Sequence, residues 1–457
     1  MRISSIINYD KILIMNSLIH KIVKSSLTIA GCLLLSFTTQ AQDNLSLKDA
    51  ITIGLKSNYQ IQVSGKNIEI AKRNNNWLEA GALPSITANA SQGFNWSENN
   101  NPMSFIRGKS SSNTLSYGAD LNWVLFNGFK VKIGKDRLQY LQEQSEGNAA
   151  VVVENTIQSI ILGYYNVLLQ EEKLNAIEKL VQVSSDRYNY MSEKKDLGSV
   201  STFDLLQVKN ALLTDSTNYL LQELAFNNAK RNLNMLMAID VSTKYTLTDK
   251  LEHEKNILSV DGLKGKMLSN NQTLKNQYIN QKILKKDKGL MRANLFPVLS
   301  FGSGLSESVS GFEQGNFSSS GNESFSYYAN FTLSFTLFDG HKTHRAFNNL
   351  RVQEEISQLT IDEMELSLTN DLVTAFELYK ARLTISDLTK SSLENAELNL
   401  QIATEKYQTG SISSFEFRDI QIAYLNTAAT HLESVYNTIS GNTDIVRLTG
   451  GIIEEFK

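Results

Sequence analysis

Glu193-Lys194-Lys195-Asp196-Leu197-Gly198-Ser199-Val200-Ser201-Thr202-Phe203-Asp204 returns, without a gap, as Glu405-Lys406-Tyr407-Gln408-Thr409-Gly410-Ser411-Ile412-Ser413-Ser414-Phe415-Glu416. The offset is 212 residues. At that offset Leu125-Phe126-Asn127-Gly128 falls on Leu337-Phe338-Asp339-Gly340, and Lys130 falls on Lys342. At 213, Ala80 and Leu83-Pro84 fall on Ala293 and Phe296-Pro297, and Asn58 falls on Asn271. A register held over four separated landmarks is a duplication. The repeats read as residues 42–240 and 258–457, joined by a linker over 241–257.

Proline is scarce in both repeats. Average usage near 5% would put about 23 prolines in a chain of this length, and there are three: Pro84, Pro102 and Pro297. Very long regular elements are expected between them. Residues 130–195 and 341–409 read as helices, and some 65 residues at 1.5 Å each make a rod of roughly 100 Å. Each rod stops at a glycine, Gly198 or Gly410, suited to the left-handed conformation that ends helices. A second helix then returns. Ser199 or Ser201, and Ser411 or Ser413, can cap it, with Asp204 or Glu416 in its first turns favoured by the helix dipole. Leu206, Leu213 and Leu220 recur every seven residues on one returning helix, and Leu425, Leu432 and Ile439 on the other. That spacing reads as a coiled-coil seam.

Each repeat also carries a pair of alternating segments, at about 85–97 and 114–126, then at about 298–309 and 325–338. In the second, Leu115, Tyr117, Ala119, Leu121 and Trp123 alternate with Ser116, Gly118, Asp120 and Asn122. One aromatic-rich face and one polar face, over ten or more residues, is the pattern of a membrane-spanning β-strand. Leu121, Trp123, Leu333 and Phe335 fall on the lipid-facing side. An antiparallel sheet over a soluble core is the competing reading of the strands alone. The Ser-, Asn- and Gly-rich stretches 97–113 and 310–324 read as exposed loops. Trp96 and Trp123 read as girdle aromatics at strand ends, and Trp77 as core. Four such strands cannot close a barrel, because the smallest closed barrels have about eight. An open sheet edge in lipid leaves backbone groups unsatisfied, so copies of the chain must share one barrel.

Before the first repeat, Lys21 and Lys24 precede the apolar stretch Leu27 to Phe37, and Thr39-Gln40-Ala41 supplies small residues at a cleavage site. Residues 1–41 therefore read as a secretory signal, with Met15 as a possible start. Ile29-Ala30-Gly31-Cys32 also fits a lipoprotein box that would acylate Cys32, although the apolar residues that continue past it suit a box badly. Without residues 1–41 the chain keeps 40 basic and 46 acidic residues, a net charge of −6, and no cysteine. Such a balance does not suit nucleic-acid binding, and no disulfide framework can exist.

The twofold repeat of strand pair plus long hairpin, and the tip motif Gly410-Ser411-Ile412-Ser413-Ser414-Phe415-Glu416, resemble the TolC-like outer membrane efflux proteins over about residues 45–450. The resemblance implies a homotrimer with a shared 12-stranded barrel in outer-membrane lipid. It also implies an α-helical coiled-coil barrel that crosses the periplasm to an adaptor protein and an inner-membrane pump or secretion ATPase. Such a chain is a passive channel, not an enzyme, and the absence of a GK[ST] phosphate loop agrees. In that family acidic side chains just past the tip line a periplasmic gate. By position these are Glu416 and Asp419, with Asp204 and Gln207 as first-repeat counterparts. Crowding in a ring of such acids would raise their pKa values. The tips Gly198, Ser199, Val200, Gly410, Ser411 and Ile412 would meet the adaptor. Ile412 stands where some relatives have a basic residue that locks the closed state.

Other classes fit less well. A periplasmic adaptor carries one hairpin between compact β domains, and a surface coiled-coil protein needs no membrane-like strands. No cofactor or catalytic residue is expected, since no carboxylate pair, Ser-His or Cys-His arrangement recurs near a turn. His341 and His344 have a metal-ligand spacing beside Asp339, yet a solvated helix start explains them better and no metal is expected.

Overall fold

The structure is a computed structural model that describes residues 43–104, 107–253, 259–314 and 317–455. The signal peptide expected over residues 1–41, with Met15, Cys32 and the site after Ala41, lies outside the described residues. In chain order the first elements are β1 (Asp43–Leu45), α1 (Leu47–Ser57), α2 (Tyr59–Asn74), β2 (Ser85–Asn99), β3 (Gly108–Asn127), α3 (Lys130–Asp196) and α4 (Thr202–Met237). There follow β4 (Tyr245–Leu247), α5 (Val260–Asn270), α6 (Gln272–Ala293), β5 (Val298–Gln314), β6 (Phe317–Ser334), α7 (Lys342–Gln408), α8 (Ser414–Leu448) and α9 (Ile452–Glu455). By contacts the chain forms two units. In the small one, β1 pairs in parallel with β4, Asp43 opposite Tyr245. The large one holds everything else described.

The duplication extends to the conformation of single residues. Helices α3 and α7 are each 67 residues long. Both begin after two successive residues with positive φ, Gly128-Phe129 and Gly340-His341. A β-carbon on Gly128 would lie 2.5 Å from the Ala293 carbonyl oxygen, so glycine is needed there for space as well as conformation. Asn58 and Asn271 cap α2 and α6, and each also donates its Nδ2 across the repeat, to Leu236 O at 2.9 Å and Leu448 O at 3.0 Å. The acceptors are again 212 residues apart.

Packing follows the same register. Ile51, Ile160, Val167 and Leu233 are buried in the first repeat, and their partners at offset 212 are Leu263, Leu372, Tyr379 and Ile445, also buried. The second set forms one cluster with Met267. In the first, Gly54 of α1 lets the helix lie directly on Ile160, where a β-carbon would be 2.2 Å from the Ile160 Cδ1. Each repeat thus pins its short helix between the two arms of its own hairpin.

The Leu206, Leu213 and Leu220 seam departs from expectation: these side chains are 52%, 56% and 62% exposed. Helix α4 has two apolar stripes, and it is the one through Val208, Ala229 and Leu233 that turns inward. Heptad spacing alone does not tell which stripe meets the chain's own hairpin. Trp77, expected in the core, is 54% exposed.

The four long strands form one antiparallel sheet in the order β2-β3-β5-β6. The stretches 97–113 and 310–324, read as loops, are largely strand: β2 reaches Asn99, β3 starts at Gly108, β5 reaches Gln314 and β6 starts at Phe317. Their serines sit on both faces and pair across strands, as Ser97 does with Ser110 at 2.8 Å. Serine and asparagine therefore serve a pleated wall here, where they resembled turn residues. At its far end β6 stops at Ser334, so Phe335 lies just past the strand and not within it.

Candidate functional site

Both tips are built by backbone hydrogen bonds that the glycines permit. The Ser199 N–H reaches Lys194 O at 2.9 Å, and the Ser411 N–H reaches Lys406 O at 2.7 Å, the wrapped ending of a helix around a left-handed residue. Gly198, Ser199, Gly410 and Ser411 are exposed, and Val200 and Ile412 partly so. Leu197, Phe203 and Phe415 are also exposed, at 81%, 65% and 54%. Such apolar side chains at a loop end suit contact with another protein. Behind the second tip, the Tyr407 and Phe417 rings stack at 4.8 Å, with Phe417 buried.

Two of the acids assigned to a gate are also bonded to the serine that caps their helix. Ser413 and Glu416 form a reciprocal capping box, with the Ser413 N–H donating to Glu416 Oε2 at 2.8 Å and the Glu416 N–H to Ser413 Oγ at 3.2 Å. The Ser413 backbone bond, then its hydroxyl, holds the Glu416 carboxyl below the ordinary glutamate range. That is the opposite of the rise expected from crowding, and within the single chain the cap decides it. Asp204 likewise accepts from Ser201 Oγ at 2.6 Å. Asp419, one turn further along α8, is exposed, and Gln207 on α4 is half-buried.

Sequence reading missed the residue between these acids. Arg418 donates to both oxygens of Asp215 on α4, at 2.7 and 2.5 Å, and Ser184 Oγ on α3 donates to the same carboxylate at 2.6 Å. Asp215 is 1% exposed. This forked, charge-assisted pair ties the returning helix of the second repeat to both arms of the first hairpin. Arg187 on α3 lies beside it, buried, with Nε and Nη1 lacking a hydrogen-bond partner. Burial pushes the Arg187 guanidinium below its usual range, against the pull of Tyr407 and Asp215. Two guanidiniums therefore share one buried carboxylate. The one available sign was Asp215 itself, seven residues after Val208 in the inward stripe of α4.

The sheet presents two unlike faces. Register places Ile86, Leu121, Ser303 and Ala329 in one row, and Leu299 opposite Leu333 nearer the helices. Ile86, Tyr327, Phe331 and Leu333 on this face are 73%, 82%, 69% and 69% exposed. Trp123 belongs to it as well, donating its indole N–H to Ala82 O at 3.0 Å, and Phe335 is 54% exposed beyond the strand end. Among the described residues no helix is long and apolar enough to cross a membrane. His341 is the left-handed residue before α7 and packs edge-on against Phe338.

A family model described as "Outer membrane efflux protein" matches residues 51–238 and again 263–451. A comparison with curated proteins finds no match. Among solved structures, the Campylobacter jejuni CmeC outer membrane channel superposes with a TM-score of 0.70 at 17% identity, over 89% of this chain and 85% of that one. The Neisseria gonorrhoeae MtrE outer membrane channel, in its open state, gives 0.66 at 15% identity, over 89% of each chain. The outer membrane protein VceC of Vibrio cholerae gives 0.63 at 14% identity, over 89% of this chain and 96% of that one.

Proposed function

The chain belongs to the outer membrane efflux protein family, and from that premise we propose that it is the exit duct of a tripartite efflux or secretion system. The duct is a passive conduit, a homotrimer whose three sheets share a 12-stranded barrel and whose hairpins form a tube in the periplasm. An adaptor protein meets the tips, and an inner-membrane pump or secretion ATPase supplies the energy. The observation that carries this reading is the sheet. Its apolar face is uncovered and its outer strands, β2 and β6, are unpaired on one side. Neither state is tolerable for a lone chain in water or in lipid. Pairing β6 of one copy with β2 of the next removes both problems. The exposed stripe Leu206, Leu213 and Leu220 on α4, with Ile356, Leu359 and Leu366 on α7, then gains cover from neighbouring copies. A periplasmic adaptor or a surface coiled coil has no use for such a face.

Assembly tests the reading. Detergent-extracted protein should have the mass of three chains plus detergent. A stable monomer with an intact β signal would refute the shared barrel.

The periplasmic end holds the gate. Three copies of Glu416 and Asp419 place up to six carboxylates around the opening, with Asp204 of the other hairpin behind them, and a ring of like charge favours cations. The double change Glu416→Gln and Asp419→Asn separates charge from capping, because glutamine also closes a capping box. In planar bilayers the double variant should lose most of its cation preference and its block by polyvalent cations added from the periplasmic side, with the trimer intact. Glu405, exposed on the last turn of α7, is the control, and its Gln variant should behave like the parent. Unchanged selectivity in the double variant would reduce both acids to helix-start residues.

A further inference from the structure

The polar face of the sheet holds one charged residue. By register this face carries Ser85, Thr87, Asn89 and Ser91 on β2, and Ser116, Gly118, Asp120 and Asn122 on β3. It continues through Gly302, Gly304, Ser306 and Ser308 on β5 to Asn330, Tyr328, Ser326 and Ser324 on β6. Lys109, Glu98, Glu307, Glu313 and Glu323 alternate to the other face, gathered toward the end remote from the helices. Asp120 alone remains, with no lysine or arginine on its side of the paired strands.

Its setting is built rather than incidental. Tyr328 on β6 donates its hydroxyl to Asp120 Oδ1 at 2.8 Å, and Asn89 on β2 donates to Oδ2 at 3.1 Å. The tyrosine reaches Asp120 across the intervening strand β5, over Gly304. A β-carbon at that glycine would lie 2.5 Å from Asp120 Oδ1 and 2.7 Å from the Tyr328 ring. Gly302 is hemmed in the same way, 2.8 Å from Asn330 Oδ1. Residues on four strands thus hold one carboxylate at a defined height against an otherwise neutral wall of small side chains.

We propose that Asp120 is a selectivity residue of the barrel lumen, which favours cationic over polyanionic cargo on its way out. The proposal rests on the exit-duct reading, which makes the polar face the lumen and gives three copies of Asp120 at one level. A ring of one sign in a narrow aqueous passage enriches ions of the other sign and repels its own. With no basic residue on this face, nothing within the paired strands cancels it. The ring stands at the opposite end of the duct from Glu416 and Asp419, so the two can be told apart by the side from which an ion arrives.

The test is block of single-channel current by hexaamminecobalt(III), added from the outer side of the full-length trimer. Asp120→Asn should raise the half-blocking concentration by about tenfold, the lower end of the enrichment that one-signed charge gives in a cleft. Adding Asn122→Asp, which returns an acid to the same face one step along β3, should restore the block. Glu307→Gln, on the opposite face of the same sheet, should leave it unchanged. Parent-like block in Asp120→Asn, or failure of Asn122→Asp to rescue, would make Asp120 a wall brace for Tyr328 and overturn the proposal. If the parent forms no conducting trimer, the exit-duct reading itself fails, which is a separate result.

Discussion

Arg418→Leu should leave the closed duct leaky. The substitution strips Asp215 of both guanidinium bonds and leaves a carboxylate that is 1% exposed, with Ser184 as its remaining described hydrogen-bond donor and Arg187 beside it. Breaking a buried ion pair from one side costs about 3–5 kcal/mol, and the loss falls where α8 meets α3 and α4, one residue from Glu416's turn of helix. The second hairpin then loses its tie to the first near the tip, while Lys173–Glu433 and Gln158–Asp444 still join the two further along. Planar-bilayer recordings should show a higher baseline conductance and more frequent openings, with trimer mass unchanged. Asp215→Asn should be the more damaging single change, because Arg418 and Arg187 would face each other without a carboxylate. The pair Asp215→Leu with Arg418→Leu removes both partners of the ion pair and leaves Arg187 as the buried charge beside it. It should recover part of the stability while staying leaky, since the tie is still gone. A tight channel in all three variants would mean that the clamp is only a packing element.

The second large effect concerns the barrel wall. Leu121→Arg should cost about 2–4 kcal/mol, and Leu333→Arg only about 0–1 kcal/mol, as expected for the midplane and the rim of a bilayer. Register makes the distinction. Leu121 shares its row with Ile86, Ser303 and Ala329, midway between the Leu299–Leu333 row and the level of Glu307 and Glu323, where outward-facing charge begins. Leu333 lies one residue from the end of β6. Arginine at Asn122 or Ser334, on the polar face, should be tolerated. Urea unfolding of the trimer in detergent or lipid would measure the series. Equal costs on both faces would mean that the apolar side meets protein and not lipid.

Much of the architecture was readable from local pattern. Twin tips, alternating strands and proline-free helices each leave a periodic trace, and the 212-residue offset ties them into one unit. The misreadings share a cause. Serine and asparagine at 97–113 and 310–324 carry turn chemistry in a soluble context and wall chemistry next to water inside a sheet, and composition does not say which. Leu206, Leu213 and Leu220 form a genuine heptad, but it faces away from the chain's own hairpin. Glu416 satisfies a capping rule and a gate expectation at once, because acids favour helix starts whatever else they do. The clamp was invisible for a different reason. Asp215 and Arg418 lie 203 residues apart in sequence, and neither stands in a motif.

The clamp also divides what duplication made alike. Shifted by the repeat offset, Arg418 corresponds to Leu206 and Asp215 to Thr427, so the reciprocal joint contains neither charge. A closed ring of three such chains would be a six-leaved iris in which bolted and unbolted seams alternate. Its resting symmetry is threefold, although its leaves descend from a sixfold pattern. Widening would then start at the three seams that carry no bolt, and the aperture would pass through a triangular outline before it becomes round.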